Sequence, residues 1–297
     1  MPNTKGELVE YKKILGNTGA IEANGTMIPV YRLSEKHIVM IDSGPKCDHS
    51  LIAALKEAGM SVSAVLCTHF HPDHTANNSL LVRTFGTKIF APEADICPER
   101  FEIVQSGNIA LSKNCLREIP EYPIFPLARS GGIEIEDKRF EIIDTAGHTE
   151  GHLAYVTPDG VCCAGDAMIS SNVLQQLKLP YFECIKAAVE SMKRLVSGNY
   201  PYYVISHCGV ENAASISTVL QAFLDKREEL FSAFRRVIKN TPQSADITAF
   251  MKEIGIVRKD FLENGILQDA TKSYLSVLAD MGEVWIDGER VVSTCCR

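Results

Sequence analysis

The chain has 297 residues, 45% apolar and 23% charged, with 20 Gly and 13 Pro. That is about two domains of an ordinary globular protein, and the mixture excludes a disordered, fibrous or low-complexity chain. With 37 acidic against 30 basic residues the formal charge is −7, so the chain as a whole does not advertise a phosphate-rich partner, although a local basic patch stays open.

The start, MPNTKGELVEYKK, has acidic residues where an export signal would have an apolar stretch, and no apolar run approaches the 18 or so residues of a membrane span. A cytoplasmic location without membrane contact is expected. The first 40 residues read as short strands separated by turn signals at Gly16-Asn17, Asn24-Gly25 and Ser34-Glu35. Leu51, Ile52, Leu55 and Ala58 recur at helical spacing until Gly59, and SAVLCTH then reads as a buried strand running directly into a ligand-rich loop. Residues 76–86 read as a helix stopped by Gly86, and KIFAP as a strand. The Pro-dotted stretch 93–130 is too irregular for a core element and reads as a loop over a pocket, with Tyr122 and Phe125 as an apolar lid favouring an acyl or aromatic substrate.

Residues 133–145 predict a hairpin turning near Asp137-Lys138, and LAYVT, Pro158-Asp159-Gly160 and VCCAGD a second. An amphipathic helix is expected over 181–197, opened by Tyr181 and Phe182 as pocket or core residues, and YYVISH reads as a buried strand. After about 212 the pattern turns helical, at 214–239, 246–254 and 267–281, and closes on a hairpin of EVWI and ERVV about Asp287-Gly288. Three helices and a ribbon predict a small winged-helix-like appendage. The expected division is therefore 1–212 and 213–297. Ten cysteines without a CxxC pair, several inside apolar strands, argue for reduced thiols. Cys208 and Cys162-Cys163 are read as small buried apolar groups.

The strongest chemical signal is Thr68-His69-Phe70-His71-Pro72-Asp73-His74, three imidazoles and a carboxylate within six residues just after an apolar strand. Alternation can aim His69 and His71 to one side, while the turn at Pro72 swings Asp73 and His74 toward a second point nearby. Three more ligand-type residues follow apolar strands in the same way: His148, Asp166 and His207. Such a set suits two divalent ions, zinc first, with iron or manganese as alternatives. Two such ions can share a water and lower its pKa toward neutrality.

These residues resemble the HxHxDH, His, Asp, His pattern of the metallo-β-lactamase superfamily, over roughly residues 8–212. The resemblance implies an α+β fold, a four-layer αββα sandwich with the site at the edge between two sheets, carrying here the small, mainly helical, winged-helix-like domain. It implies that His69, His71 and His148 hold one metal, that Asp73, His74 and His207 hold a second, and that Asp166 bridges them. Asp73 is also the candidate catalytic residue. Ile41-Asp42-Ser43-Gly44 and the run Gly147 to His152 match the family's surroundings, with His152 not a direct ligand. Asp42 has two readings: an acceptor for the far N–H of a ligand imidazole, or a turn residue.

Position 71 is His, whereas the flavin-linked di-iron oxidoreductases resembling this pattern carry Glu there, so a hydrolase is favoured. Glyoxalase II-like thioesterases resemble the first 212 residues, but their C-terminal glutathione-binding basic residues find no counterpart. The tail instead resembles the branch that ends in a winged helix and includes RNA-cleaving enzymes. Yet residues 213–297 hold 11 basic and 12 acidic residues, and helix 267–281 carries Asp269, Lys272 and Asp280 with no basic stripe. Nucleic acid is therefore disfavoured as a partner, and the appendage is expected to pack, wall the pocket or join two copies as a homodimer. The expected function is a dinuclear metal-dependent hydrolase acting through a metal-bridging hydroxide on an ester or thioester of a small molecule. Three alternatives stay open: a phosphodiesterase or ribonuclease on the same metals, a mononuclear iron enzyme similar to persulfide dioxygenases, and a ligand sensor with a DNA-reading tail.

Overall fold

The computed structural model describes residues 11–23, 25–45, 49–96, 122–241, 244–257 and 261–294. The first sheet takes its strands in chain order: β1 (Tyr11–Leu15), β2 (Thr18–Ala23), β3 (Thr26–Arg32), β4 (His37–Ile41), β5 (Ser61–Leu66), β6 (Lys88–Pro92) and β7 (Ile124–Leu127). Strands β1 to β4 pair antiparallel and β4 to β7 parallel. Helices α1 (His49–Glu57), α2 (Pro72–Thr75) and α3 (Asn78–Phe85) lie along this half of the chain.

The second sheet contains β8 (Gly131–Ile135), β9 (Lys138–Asp144), β10 (Leu153–Val156), β11 (Cys162–Gly165), β12 (Tyr202–Ile205) and β13 (Gly209–Asn212), in the order β13-β12-β11-β10-β9-β8. Helices α4 (Ser171–Leu174) and α5 (Ile185–Ser197) fall between β11 and β12. After β13 come α6 (Ile216–Asn240), β14 (Ala245–Asp246), α7 (Ile247–Glu253), α8 (Phe261–Asp280), β15 (Val284–Asp287) and β16 (Arg290–Ser293). The last three strands form a small sheet ordered β14-β16-β15. Among the described residues no helix is long and apolar enough to cross a membrane.

Strand sequences explain the layering. In β4, Ile38 and Met40 join a core with Leu51, Leu55 and Leu81 of the helices, while Val39 and Ile41 join a core with Phe140, Ile142 and Tyr155 of the second sheet. A two-residue side-chain period thus serves two cores, and the strand reads as one apolar run because both faces are covered. The second sheet does the same: Tyr155 and Cys163 face the first sheet, and Ala154, Cys162 and Tyr203 pack with α5 and α6. The result is a helix, sheet, sheet, helix sandwich. The core on the α5 side continues without interruption into Phe250, Tyr274, Leu275 and Leu278 of α7 and α8.

Three boundaries differ from the sequence expectation. Ile124–Leu127, expected within an irregular loop, is the seventh strand, parallel to β6. Pro126 is tolerated because β7 lies at the sheet edge, where one row of donors needs no partner. Phe125 stacks on Phe90 across that pair, and Tyr122 packs onto the α1 and α3 core, so neither forms a pocket lid. Residues 97–121 of the expected loop lie outside the described residues. The helix expected from 181 starts at Ile185, because 181–184 carry out another task, and the helix expected from 267 begins at Phe261.

Candidate metal centre

The site forms where strand ends of both sheets meet. The segment after β5 delivers His69, His71, Asp73 and His74, the loop after β9 delivers His148, and the turns that follow β11 and β12 deliver Asp166 and His207. Glycines make two of these turns feasible. Gly147 has φ 141 and lies so near α5 that a Cβ would stand 2.4 Å from Ala188. Gly165 has φ 56 and would meet His152 and Thr68.

All seven predicted residues come together in two adjoining sets, His69, His71 and His148 in one and Asp73, His74, Asp166 and His207 in the other; within each set the donor atoms lie within 4.8 Å of one another. In the first, His71 Nδ1 is 2.9 Å from His69 Nε2 and 3.1 Å from His148 Nε2. Ligands about 2.1 Å from a tetrahedral ion are spaced by about 3.4 Å, so three imidazole nitrogens converge at nearly coordination spacing. In the second, His207 Nε2 lies 3.2 Å from Asp73 Oδ2, and Asp166 Oδ2 is 3.5 Å from His74 Nε2 and 3.4 Å from His207 Nε2. Asp166 Oδ2 is also 3.5 Å from His148 Nε2, which places it between the sets.

Electrostatics separate the two. Burial, then the neighbouring imidazoles, hold His69 well below its ordinary pKa and bring His71 down to about 3, so these rings present lone pairs. Burial also opposes charge on His74, but Asp166 and Asp42 hold it well above the ordinary value. Hydrogen bonds to Asp166 and Asp73 raise His207 to about 10. Burial disfavours the Asp166 carboxylate, and His74 and His207 nevertheless hold it well below the usual range. His74 Nε2 is buried with no hydrogen-bond partner, an atom that a cation would satisfy. The donor chemistry therefore fits divalent ions.

Residues around the donors fix their orientation. Asp42, buried in β4's final turn at φ 64, accepts from the Thr68 amide at 2.7 Å and pairs with His74 Nδ1 at 2.8 Å, leaving His74 Nε2 toward the cluster. Asp42 is thus a turn residue that also partners the far nitrogen of a candidate ligand imidazole. His148 Nδ1 donates to the Tyr181 carbonyl at 3.3 Å, which aims Nε2 at His71 and Asp166. His152 accepts from the Asp166 amide at 3.1 Å and is no member of either set. Sequence reasoning missed Asp95. It accepts from Thr149 Oγ1 at 2.8 Å, the Gly151 amide at 2.9 Å and the Phe70 amide at 3.3 Å, tying the two main ligand loops together. Its position just beyond β6, on the edge that carries the other ligands, was the available signal.

The model of the metallo-beta-lactamase superfamily matches residues 24–207. The chain belongs to the metallo-beta-lactamase superfamily. Curated relatives include the hydroxyacylglutathione hydrolase of Aliivibrio salmonicida, 27% identical over 150 residues covering 50% of this chain and 49% of that protein. That of a Chelativorans species is 26% identical over 188 residues, 62% of each chain. The chain spans about half the length of the first and somewhat more of the second. In fold it is similar to a beta-lactamase domain protein from Burkholderia ambifaria, at TM-score 0.69 and 14% identity over 98% of this chain and 96% of that one. It is likewise similar to a metallo-beta-lactamase family protein from Thermus thermophilus, at 0.67 and 18% over 93% and 97%.

Proposed function

We propose that the chain is a metal-dependent hydrolase holding two divalent ions, zinc first, and cleaving an ester or thioester of a small molecule. The observation that carries this reading is the convergence of seven donors in two sets with Asp166 Oδ2 between them. His69, His71 and His148 would hold one ion, Asp73, His74 and His207 the other, with Asp166 shared. When bound, such ions supply Lewis acidity toward an acyl or phosphoryl oxygen and a nucleophilic water at neutral pH. Relatives named for hydrolysing hydroxyacylglutathione support the hydrolytic class.

The chain's own residues supply orientation and proton handling. Asp42 fixes the His74 tautomer and the Tyr181 carbonyl that of His148. Burial excludes water from His69 and His74, whereas the Asp73 side chain is 43% exposed and faces the open side. Burial opposes its charge, but His207 and His74 hold the Asp73 carboxyl below the usual range, so Asp73 is proposed as an ionised hydrogen-bond acceptor at the open side of the site. The proposal also takes residues 213–297 as a winged-helix-like unit, supported by the order α6, α7, α8 and a closing β15-β16 hairpin.

The test strips the protein with chelator, restores zinc, and assays a hydroxyacyl thioester, nitrophenyl esters, a nitrophenyl phosphodiester and RNA. Zinc-restored thioester or ester turnover, reduced at least about 10²-fold by Asp166→Asn, is expected. Turnover confined to the phosphodiester or RNA would replace this reading with the nuclease one.

A further inference from the structure

Beside the donors lies a cavity of about 290 Å³ whose walls include His148, Asp166 and His207. The rest of its lining is apolar: Met168, Ile169, Val173, Leu177 and Leu179, with Tyr181 and Cys208 at its sides. All of these but Cys208, which follows β12, come from the segment between β11 and α5, which leaves the Asp166 turn, forms α4 and returns through Pro180 to the His148 loop. Among the described residues no Lys or Arg lines the cavity. Away from the three donors the described walls offer a charged group no partner, so a charge carried to that apolar end would bear a substantial desolvation cost.

We infer that this cavity binds an unbranched apolar chain attached to the scissile group, so that the substrate is a medium-chain ester or thioester. The inference rests on the hydrolase reading for the position of the scissile bond. Its own support is the continuity of apolar walls with three of the donors. A size near 300 Å³ sits at the small end of ligand cavities, which suits a chain in preference to a bulky polycyclic group. The chain could belong to the acyl half or to the alcohol or thiol half. Tyr181 serves both parts of the site, its carbonyl holding His148 and its residue bordering the apolar wall.

Two substrate series separate the halves: nitrophenyl acetate, butyrate, hexanoate, octanoate and decanoate, and the corresponding alkyl acetates. Each is assayed with the zinc-restored protein and with Val173→Trp, a half-buried position where a large side chain narrows the cavity without touching a donor. In one series kcat/KM should rise about threefold to fourfold per methylene until the cavity is full. Val173→Trp should abolish that rise. The series showing the rise identifies the half. Calorimetric titration of sodium acetate through decanoate gives a readout independent of turnover, and affinity should climb by the same factor per methylene in the wild type alone. Flat chain-length dependence in both substrate series and in the titration, or a rise that survives Val173→Trp, would overturn the inference and leave the hydrolase reading standing. Absent hydrolysis with an intact chain-length dependence of alkanoate binding would instead remove the hydrolase reading and retain the apolar site.

Discussion

Asp42 is the residue on which the second set of donors leans. It occupies the left-handed region at φ 64, anchored by the Thr68 amide and hydroxyl and by His74. Asp42→Ala removes the partner of a buried imidazole and should weaken zinc affinity about 10- to 100-fold, measured by competition with a chelator. Proton competition gives a second prediction. His207 is raised from 6.5 to about 10 by its carboxylate neighbours, so in the metal-free chain a proton sits where an ion would bind. Zinc binding should therefore release a proton and strengthen as pH rises between those values; calorimetry in buffers of different ionisation heat measures the release. The same shift stabilises the metal-free chain below 6.5, and that contribution should fade as pH rises toward 10. The donors were legible in sequence because four of them crowd into six residues and the others end apolar strands. Asp95 was not, since its hydrogen bonds to Thr149 and Gly151 span 54 and 56 residues and leave no periodic trace.

At the scale of elements, the loop after β9 is held from two sides. Gly147 presses on α5, so Gly147→Ala would drive a Cβ into the helix backbone at a φ unsuited to alanine. A loss of about 2–3 kcal/mol is expected in denaturant unfolding, with weaker metal retention. From the other side α8 braces the Tyr181 segment: Tyr274 Oη donates to the Pro180 carbonyl at 3.1 Å, and Ser273 Oγ accepts from the Ile185 amide at 2.8 Å. These bonds hold 181–184 outside the helix, although the apolar spacing begins the helix there. Ser273→Ala leaves a buried amide unpaired and should cost about 1–3 kcal/mol, read by the same unfolding measurement. The strand β7 escaped sequence reading because Pro126 and short length hide a strand whose one partner among the described residues is β6.

Across the whole molecule, strands buried on both faces were legible as apolar runs with site residues at their ends, whereas their arrangement as a sandwich was implied only by the family resemblance those site residues carry. The apolar wall beside the donors was not: it is assembled from residues 168–181, a segment with little regular structure, and the aromatic residues expected to cover the pocket lie elsewhere. Tertiary packing, not local pattern, decides which apolar side chains border a cavity. The central claim is that two ions share Asp166, and elemental mass spectrometry of the zinc-reconstituted chain tests it most directly. Two zinc ions per chain are predicted for the wild type and one for His207→Ala. A wild type that takes up a single ion, above all one iron carried through purification, or none after reconstitution, would contradict it.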